Sequence, residues 1–563
     1  MQQVALHLIQ QQRFPEARSL LQQQLDREPT NTLLLSQMGF VLVRLGDRAA
    51  AVETLRQAVA IAPNDPRLLA NLANALRESG DKKEAASLYA RAAELSGDRP
   101  EILLNLAVSH LERRDYETAL AVATRGLQQA PQEDRLHFIA AQSLQNLQRP
   151  AEAIAHYEAA IERQPQQRQL VLGLSAALVS CGRLPEAKTL LEAFLEQHPF
   201  DPEAISNAAA VYFELGWLRE AEVAYRAAVR LAPDRFVSHY NLSAFLKQCD
   251  RFEDARASLK AAFEIVADAP EALLLDADLA IGLGQLRKAD DRLARVLMRS
   301  PDRIEPLVKR AQVRRALGDL SMSNELLTRA QIENPRAPAL LAMLAARDRQ
   351  ELANFFDNEA DCGAFEPARV VRLEQLAVGP ELRQQAIAAV RAHPTLVANR
   401  PNKPTTGGSQ SHELFGNEVD SLFTALGQRL LERALAYLDA IAERDRRYIE
   451  LPRSPDFIQL SGWGVVLAGG GYQKPHTHPE SVVSGVLYLQ IPPSCREGDR
   501  GNLRFSPQRS EQPGDRSTHF DISPKTDDLV FFPSYLWHGT VPFDGSEERI
   551  CIAFNVTPSL ARH

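Results

Sequence analysis

The chain has 563 residues, too many for one hydrophobic core, so several domains or a repeat array are expected. Net charge is −8 with an isoelectric point of about 6.0, and neither half is a basic module, which excludes an electrostatically driven nucleic-acid partner. Its scattered cysteines (Cys181, Cys249, Cys362, Cys495, Cys551) argue against a disulfide framework or a thiolate zinc site, and no apolar run approaches about 18 residues, so no membrane partner is expected and the cytoplasm is the expected compartment.

The first elements are repeats. Ala17, Ala51, Ala85, Ala119, Ala153, Ala187, Ala221, Ala255 and Ala289 stand 34 residues apart without an insertion, and Ser323 continues the series. Proline holds a second register at Pro29, Pro63, Pro131, Pro165, Pro199, Pro233, Pro301 and Pro335, with Gly97 and Ala267 in the two gaps. Each unit reads as two helices crossing at close range. A small side chain is needed where their backbones meet, and a bulky one a turn later (Leu21, Leu55, Tyr89, Tyr157, Leu191, Tyr225, Leu259) fills the adjoining groove. Proline ends the second helix, because it can neither donate nor continue one. The first unit is expected to lack most of its first helix.

This pattern resembles the tetratricopeptide repeat over about residues 1–335, as ten units. Residues 336–350 read as a closing helix. Such arrays stack into a superhelix whose concave face binds extended peptides. Asn71, Asn105, Asn207 and Asn241 share one position that faces the groove in this family, with Gln37 a near equivalent and Ile139 and Gly173 interrupting. An amide side chain carries donors and an acceptor, so it can pair with a peptide backbone without reading side chains. Some tetratricopeptide proteins, including glycosyltransferases that modify serine and threonine, bind peptides with such a ladder.

The grid stops after Pro335, and residues 351–365 read as a linker. Helical periodicity returns at 379–393 and 416–443, around a polar Gly/Pro-rich stretch, 399–415, that reads as a surface loop. Short β-branched and aromatic runs follow at 457–467, 481–491, 502–506, 528–533 and 549–556. Helices followed by such strands predict an α+β domain with a barrel-like or sandwich core. The expected organisation is therefore a repeat array at 1–350, a linker at 351–365 and a second domain at 366–563.

Seven of the thirteen histidines fall in this last part. His476 and His478 form an HxH, and alternate residues of an extended chain face the same way, so both imidazoles can reach one ion. His538 follows the run 528–533, and Arg549 opens the last strand. His393, His412 and His519 read as solvated or structural.

The segments HTHPESVVSGVLYL (476–489), FFPSYLWH (531–538) and RICIAFN (549–555) resemble the 2-oxoglutarate and Fe(II)-dependent oxygenases. The closest similarity is to the branch found attached to tetratricopeptide arrays and in phages, over about residues 362–560. The resemblance implies a double-stranded β-helix (jelly-roll) fold, with Fe(II) and 2-oxoglutarate as cofactors. Three protein ligands on one face leave open positions for 2-oxoglutarate and oxygen. Two ligand sets stay open: His476, His478 and His538, or His478, Glu480 and His538, since the usual carboxylate two residues after the first histidine is here His478. Arg549 maps onto the residue that holds the far carboxylate of 2-oxoglutarate, and Tyr488 is a candidate second donor; Asn555 and Trp537 are weaker candidates near the mouth. The implied activity is hydroxylation of a peptide or protein delivered by the repeats. A cupin-like metal protein and a non-catalytic protein-interaction scaffold are the alternatives.

Overall fold

A computed structural model describes residues 2–333, 368, 370–401, 403–415, 421–442, 458–478, 481–496, 498–506 and 519–558. The chain divides into two compact units, Met1–Cys181 and Gly182–His563. The expected closing helix at 336–350, the linker at 351–365 and Glu480 lie outside the described residues.

The first unit is built from helix pairs. Helix Pro66–Ser79 starts where Asp65 accepts from the Arg67 N–H and Pro66 gives up no needed donor, and ends at Gly80 with φ of +100°. Its partner, Lys82–Ser96, is capped by Asp81. Ala17, Ala51, Ala85, Ala119 and Ala153 are all 0% exposed, which is what close helix crossing requires. Leu21, Leu55, Tyr89 and Tyr157 fill the neighbouring space. Gly173, which interrupts the asparagine series, has a reason: a Cβ there would stand 2.5 Å from the Tyr157 ring. One expectation needs correction, since Gln2–Gln10 is helical and supplies the first unit with much of its first helix.

In the second unit the same register continues, with Ala187, Ala221, Ala255, Ala289 and Ser323 fully buried. Serine is tolerated at 323 because its hydroxyl donates to the Ala311 carbonyl at 2.9 Å. Tetratricopeptide-type helix pairs run to Leu320–Glu333. They are followed by an antiparallel β domain of the jelly-roll kind.

Among its described residues that domain contains ten strands: β1 (Arg372–Gln375), β2 (Val397–Ala398), β3 (Thr405–Gln410), β4 (Ile458–Gln473), β5 (Val483–Gln490), β6 (Leu503–Ser506), β7 (Phe520–Ile522), β8 (Asp528–Pro533), β9 (Trp537–Thr540) and β10 (Arg549–Pro558). The larger sheet has the order β1-β8-β5-β10-β4-β3-β2, and the smaller β7-β6-β9; every pairing is antiparallel. Both faces of the larger sheet are covered. Ile550, Ile552, Phe554 and Val556 of β10 join a core with helices Pro380–Ala392 and Ser421–Ala442, while Cys551 and Ala553 face the space between the sheets. Gly464 of β4 lets the first of these helices approach: a Cβ there would meet Val390 at 2.5 Å.

The stretch 399–415 is not wholly a surface loop. Thr405–Gln410 is a strand paired with β4, and Thr405, Gln410 and Arg400 are buried. Glycine makes the pairing possible, since a Cβ on Gly408 would stand 2.5 Å from the Val466 carbonyl oxygen.

Candidate metal centre

The two sheets meet at three histidines. His538 lies on β9 and is 4% exposed; His476 follows β4, and its backbone exchanges hydrogen bonds with that of His538 at 2.9 and 3.0 Å. His478 is fixed by its N–H donating to the Ser534 carbonyl at 3.0 Å. The ring centroids are 4.3 to 5.1 Å apart, and one nitrogen from each ring lies within 4.8 Å of the others.

The hydrogen bonds select the tautomers. His476 Nδ1 is 2.8 Å from the Lys474 carbonyl and His538 Nδ1 is 2.9 Å from the Leu536 carbonyl. A carbonyl only accepts, so both Nδ1 atoms carry the proton and both Nε2 lone pairs are left for a ligand. Desolvation pushes His476 down to about 4, and His478 and His538 well below the usual histidine range. All three are therefore neutral at pH 7, the state a metal requires. Glu480, the alternative carboxylate ligand, is not among the described residues.

Beside the histidines is a cavity lined by Trp463, Gln473, Ser484, Tyr488, Thr540 and Arg549, among others. Arg549 is 1% exposed and has no carboxylate partner among the described residues. Its guanidinium carbon lies 5.0 Å from the Tyr488 ring centroid, and it makes a long hydrogen bond, 3.5 Å, to the Thr540 hydroxyl. The Arg549 Nε, the Tyr488 hydroxyl and the Trp463 Nε1 are buried without a hydrogen-bond partner among the described residues. Burial pushes the Tyr488 phenol above its usual range, so it stays a donor. A buried cation with unpaired donors around it is costly unless an anion completes it. These residues thus fit both halves of the implied pair: imidazoles for iron, and a cationic donor cluster for a dicarboxylate.

Of the weaker candidates, Asn555 accepts from the Ser484 hydroxyl at 2.8 Å, and Ser484 also bonds Ser534 at 2.9 Å. Trp537 is on β9 but does not line the cavity. Trp463, Gln473 and Thr540 were not singled out from sequence. The alternation in SGWGVV, glycine facing a helix and Trp463 the interior, was the available signal for the first. His412 is 3.3 Å from the Glu214 carboxylate and His393 2.8 Å from the Thr395 hydroxyl, so both serve structure.

Asn71 and Asn105 belong to the first unit, Asn207 and Asn241 to the second, and all four are half-buried on the first helices of their repeats. Asn71 and Asn241 each donate to a serine of the preceding repeat, Ser36 at 2.7 Å and Ser206 at 2.9 Å. One donor of each of these two amides is thereby occupied.

Residues 461–555 match the family described as "Putative 2OG-Fe(II) oxygenase". Residues 8–75, 147–212 and 202–235 match tetratricopeptide-repeat families, and 78–160 match a family described as anaphase-promoting complex, cyclosome, subunit 3. No curated protein matches the chain. Similar solved structures include a tetratricopeptide repeat protein from Parabacteroides merdae (19% identity, 45% of this chain and 98% of that one, TM-score 0.39). YrrB, titled a TPR protein with an unusual peptide-binding site, is 21% identical over 33% of this chain and 96% of its own, with a TM-score of 0.31. Yeast Tom70 is 15% identical over 62% and 88%, with a TM-score of 0.34. Among the described residues, no helix is long and apolar enough to cross a membrane.

Proposed function

We propose that this tetratricopeptide-repeat protein, with its 2OG-Fe(II) oxygenase-family domain, is an Fe(II)/2-oxoglutarate-dependent hydroxylase of a peptide or protein held by its repeats. The observation that carries the reading is the pairing of three clustered imidazoles with a buried arginine that has no carboxylate partner among the described residues. We assign residues 1–350 to the repeat part, 351–365 to a linker and 366–563 to the oxygenase part. A reducing compartment, the cytoplasm, suits a ferrous centre.

In this reading His476, His478 and His538 hold the iron, or His478, Glu480 and His538 do. Arg549 receives the far carboxylate of 2-oxoglutarate, with Tyr488 as the second donor. Bound there, the pair would supply an oxidative decarboxylation, with 2-oxoglutarate and O2 consumed and succinate and CO2 formed, coupled to hydroxylation of a substrate C–H bond. The protein's own contribution is placement. The Nδ1 bonds of His476 and His538 fix their rings, so little reorganisation is needed on loading. Burial of Arg549 strengthens its interaction with a carboxylate by lowering the local dielectric. The sheet-to-sheet core, with Phe505, Phe532 and Leu536, keeps water from the cavity floor. Asn71 and Asn105 in the first unit, and Asn207 and Asn241 in the second, would offer amide groups to the backbone of a peptide. A cupin-like protein or a scaffold leaves Arg549 without a role.

The test is an anaerobic titration with Fe(II) and 2-oxoglutarate, read by the weak visible charge-transfer band. Wild type should develop the band and His538→Ala should not; its absence in wild type refutes the proposal. Comparing His476→Ala with Glu480→Gln separates the ligand sets, since only the true ligand abolishes metal uptake.

A further inference from the structure

Within the second unit, one repeat is clasped by the oxygenase part. Helix Pro202–Glu214 ends at Glu214, and Arg400 Nη2 donates to both its carboxylate and its main-chain carbonyl, the latter at 3.0 Å. Arg400 Nη1 donates to the Thr395 carbonyl at 3.1 Å, and the Arg400 side chain is only 6% exposed. His412 stands 3.3 Å from the same carboxylate. Two residues on, Gly216 has a φ of +79°, and a Cβ there would stand 2.4 Å from a Val397 methyl. A buried guanidinium on a helix C-terminus and a glycine against a valine make this a close, specific contact.

The contact leads to the metal centre. Next to Arg400, Asn399 donates its N–H to the Gly408 carbonyl at 2.8 Å and accepts from the Gly407 N–H at 2.8 Å, which ties it to β3; just before β3, the Pro404 carbonyl accepts from the Lys474 N–H at 2.9 Å. The Lys474 carbonyl in turn holds His476 Nδ1 at 2.8 Å. Beside it, Gln473 Nε2 donates to the Thr405 hydroxyl at 3.4 Å, and Gln473 lines the cavity. Glu214 is thus joined to the His476 ring through Arg400, Asn399, the start of β3 and Lys474.

We infer that Arg400 and Glu214 are positioning residues for the metal centre: by docking the helix that ends at Glu214, they set Asn399 and the start of β3, and through them the orientation of His476. The inference rests on the metal reading above. It makes the repeat array part of the machinery that shapes the site, in addition to any delivery of substrate. Partners one step beyond a ligand typically change metal affinity 10- to 100-fold, so a pair several links further out should change it less, by about three- to ten-fold.

Co(II) titration of the full chain, read by its visible d–d bands, tests this. Arg400→Ala and Glu214→Ala should each raise the Co(II) Kd by about three- to ten-fold and shift the bands. The double variant should be no weaker than either single, because the two act in one path. Glu214→Gln, a milder change that keeps an acceptor, should give a smaller shift in the same direction. Arg251→Ala, which breaks the Arg251–Glu222 pair elsewhere in the repeats, should leave Kd and bands as in wild type. Wild-type Kd and bands in the Arg400 and Glu214 variants, or an equal loss in Arg251→Ala, would overturn the inference while leaving the metal reading intact. Failure of wild type to bind Co(II) would overturn both.

Discussion

Replacing Arg549 by methionine should have two opposite effects, and their combination is diagnostic. Arg549 is buried to 1% exposure and has no carboxylate partner among the described residues, so its desolvation is little compensated in the ligand-free protein. That penalty is several kcal/mol for a buried ion, on the order of 3 or more. What offsets it is a stacking contact with Tyr488, worth about 1–2 kcal/mol when desolvated, and one 3.5 Å hydrogen bond worth less than about 1. Methionine keeps most of the volume without the charge. The ligand-free variant should therefore be at least as stable as wild type, by roughly 1 kcal/mol or more in denaturant unfolding of the β domain. Binding of 2-oxoglutarate moves the other way. Loss of a charge-assisted hydrogen-bond pair at about 1.5–3 kcal/mol each predicts a Kd raised by at least about 100-fold. Calorimetric titration of 2-oxoglutarate into the Mn(II)-loaded chain measures it. An unchanged Kd, or a variant several kcal/mol less stable in the absence of ligand, would show that Arg549 is a structural cation and refute the reasoning.

Other outcomes follow from the repeats. Ala221→Leu puts three extra carbons at a fully buried helix crossing and should cost about 1–3 kcal/mol by urea denaturation; a neutral result would mean that the 34-residue register does not report close packing. Peptide-library binding should fall in Asn207→Ala with Asn241→Ala, and unchanged binding would remove the asparagine groove. Burial pushes the Asp278 carboxyl up, but Lys309 and Lys247 together hold it below its usual value. A depressed carboxylate contributes stability that is complete above its unfolded pKa and is lost as pH falls through the lower folded value. Wild type should accordingly lose stability below about pH 4 more steeply than Asp278→Asn, and matching pH profiles would exclude the pair as a contributor.

The repeat half was legible because its information is local. The Ala17-to-Ser323 series marks contacts within and between consecutive helices, so a fixed period survives in sequence and predicts complete burial. The interruption at Gly173 looked like noise, although it marks where the Tyr157 ring passes. In the β domain the longer runs were readable from β-branched and aromatic content. Strands β7 and β9 were not, since three or four residues such as Trp537–Thr540 pair only with partners distant in sequence. The strand Thr405–Gln410 was mistaken for loop because glycine that permits close backbone approach has the composition of a turn. His476, His478, His538 and Arg549 stood out by motif, but the orienting carbonyls of Lys474 and Leu536 have no side-chain signature. The Glu214–Arg400 clasp joins positions 186 residues apart and was invisible to any local pattern.

Succinate release tests the central claim most directly. The full chain, loaded with Fe(II) and supplied with isotopically labelled 2-oxoglutarate, O2 and a peptide pool, is followed by NMR. The account predicts labelled succinate from wild type and none above background from His538→Ala. No succinate from wild type, or equal release from the variant, would contradict it.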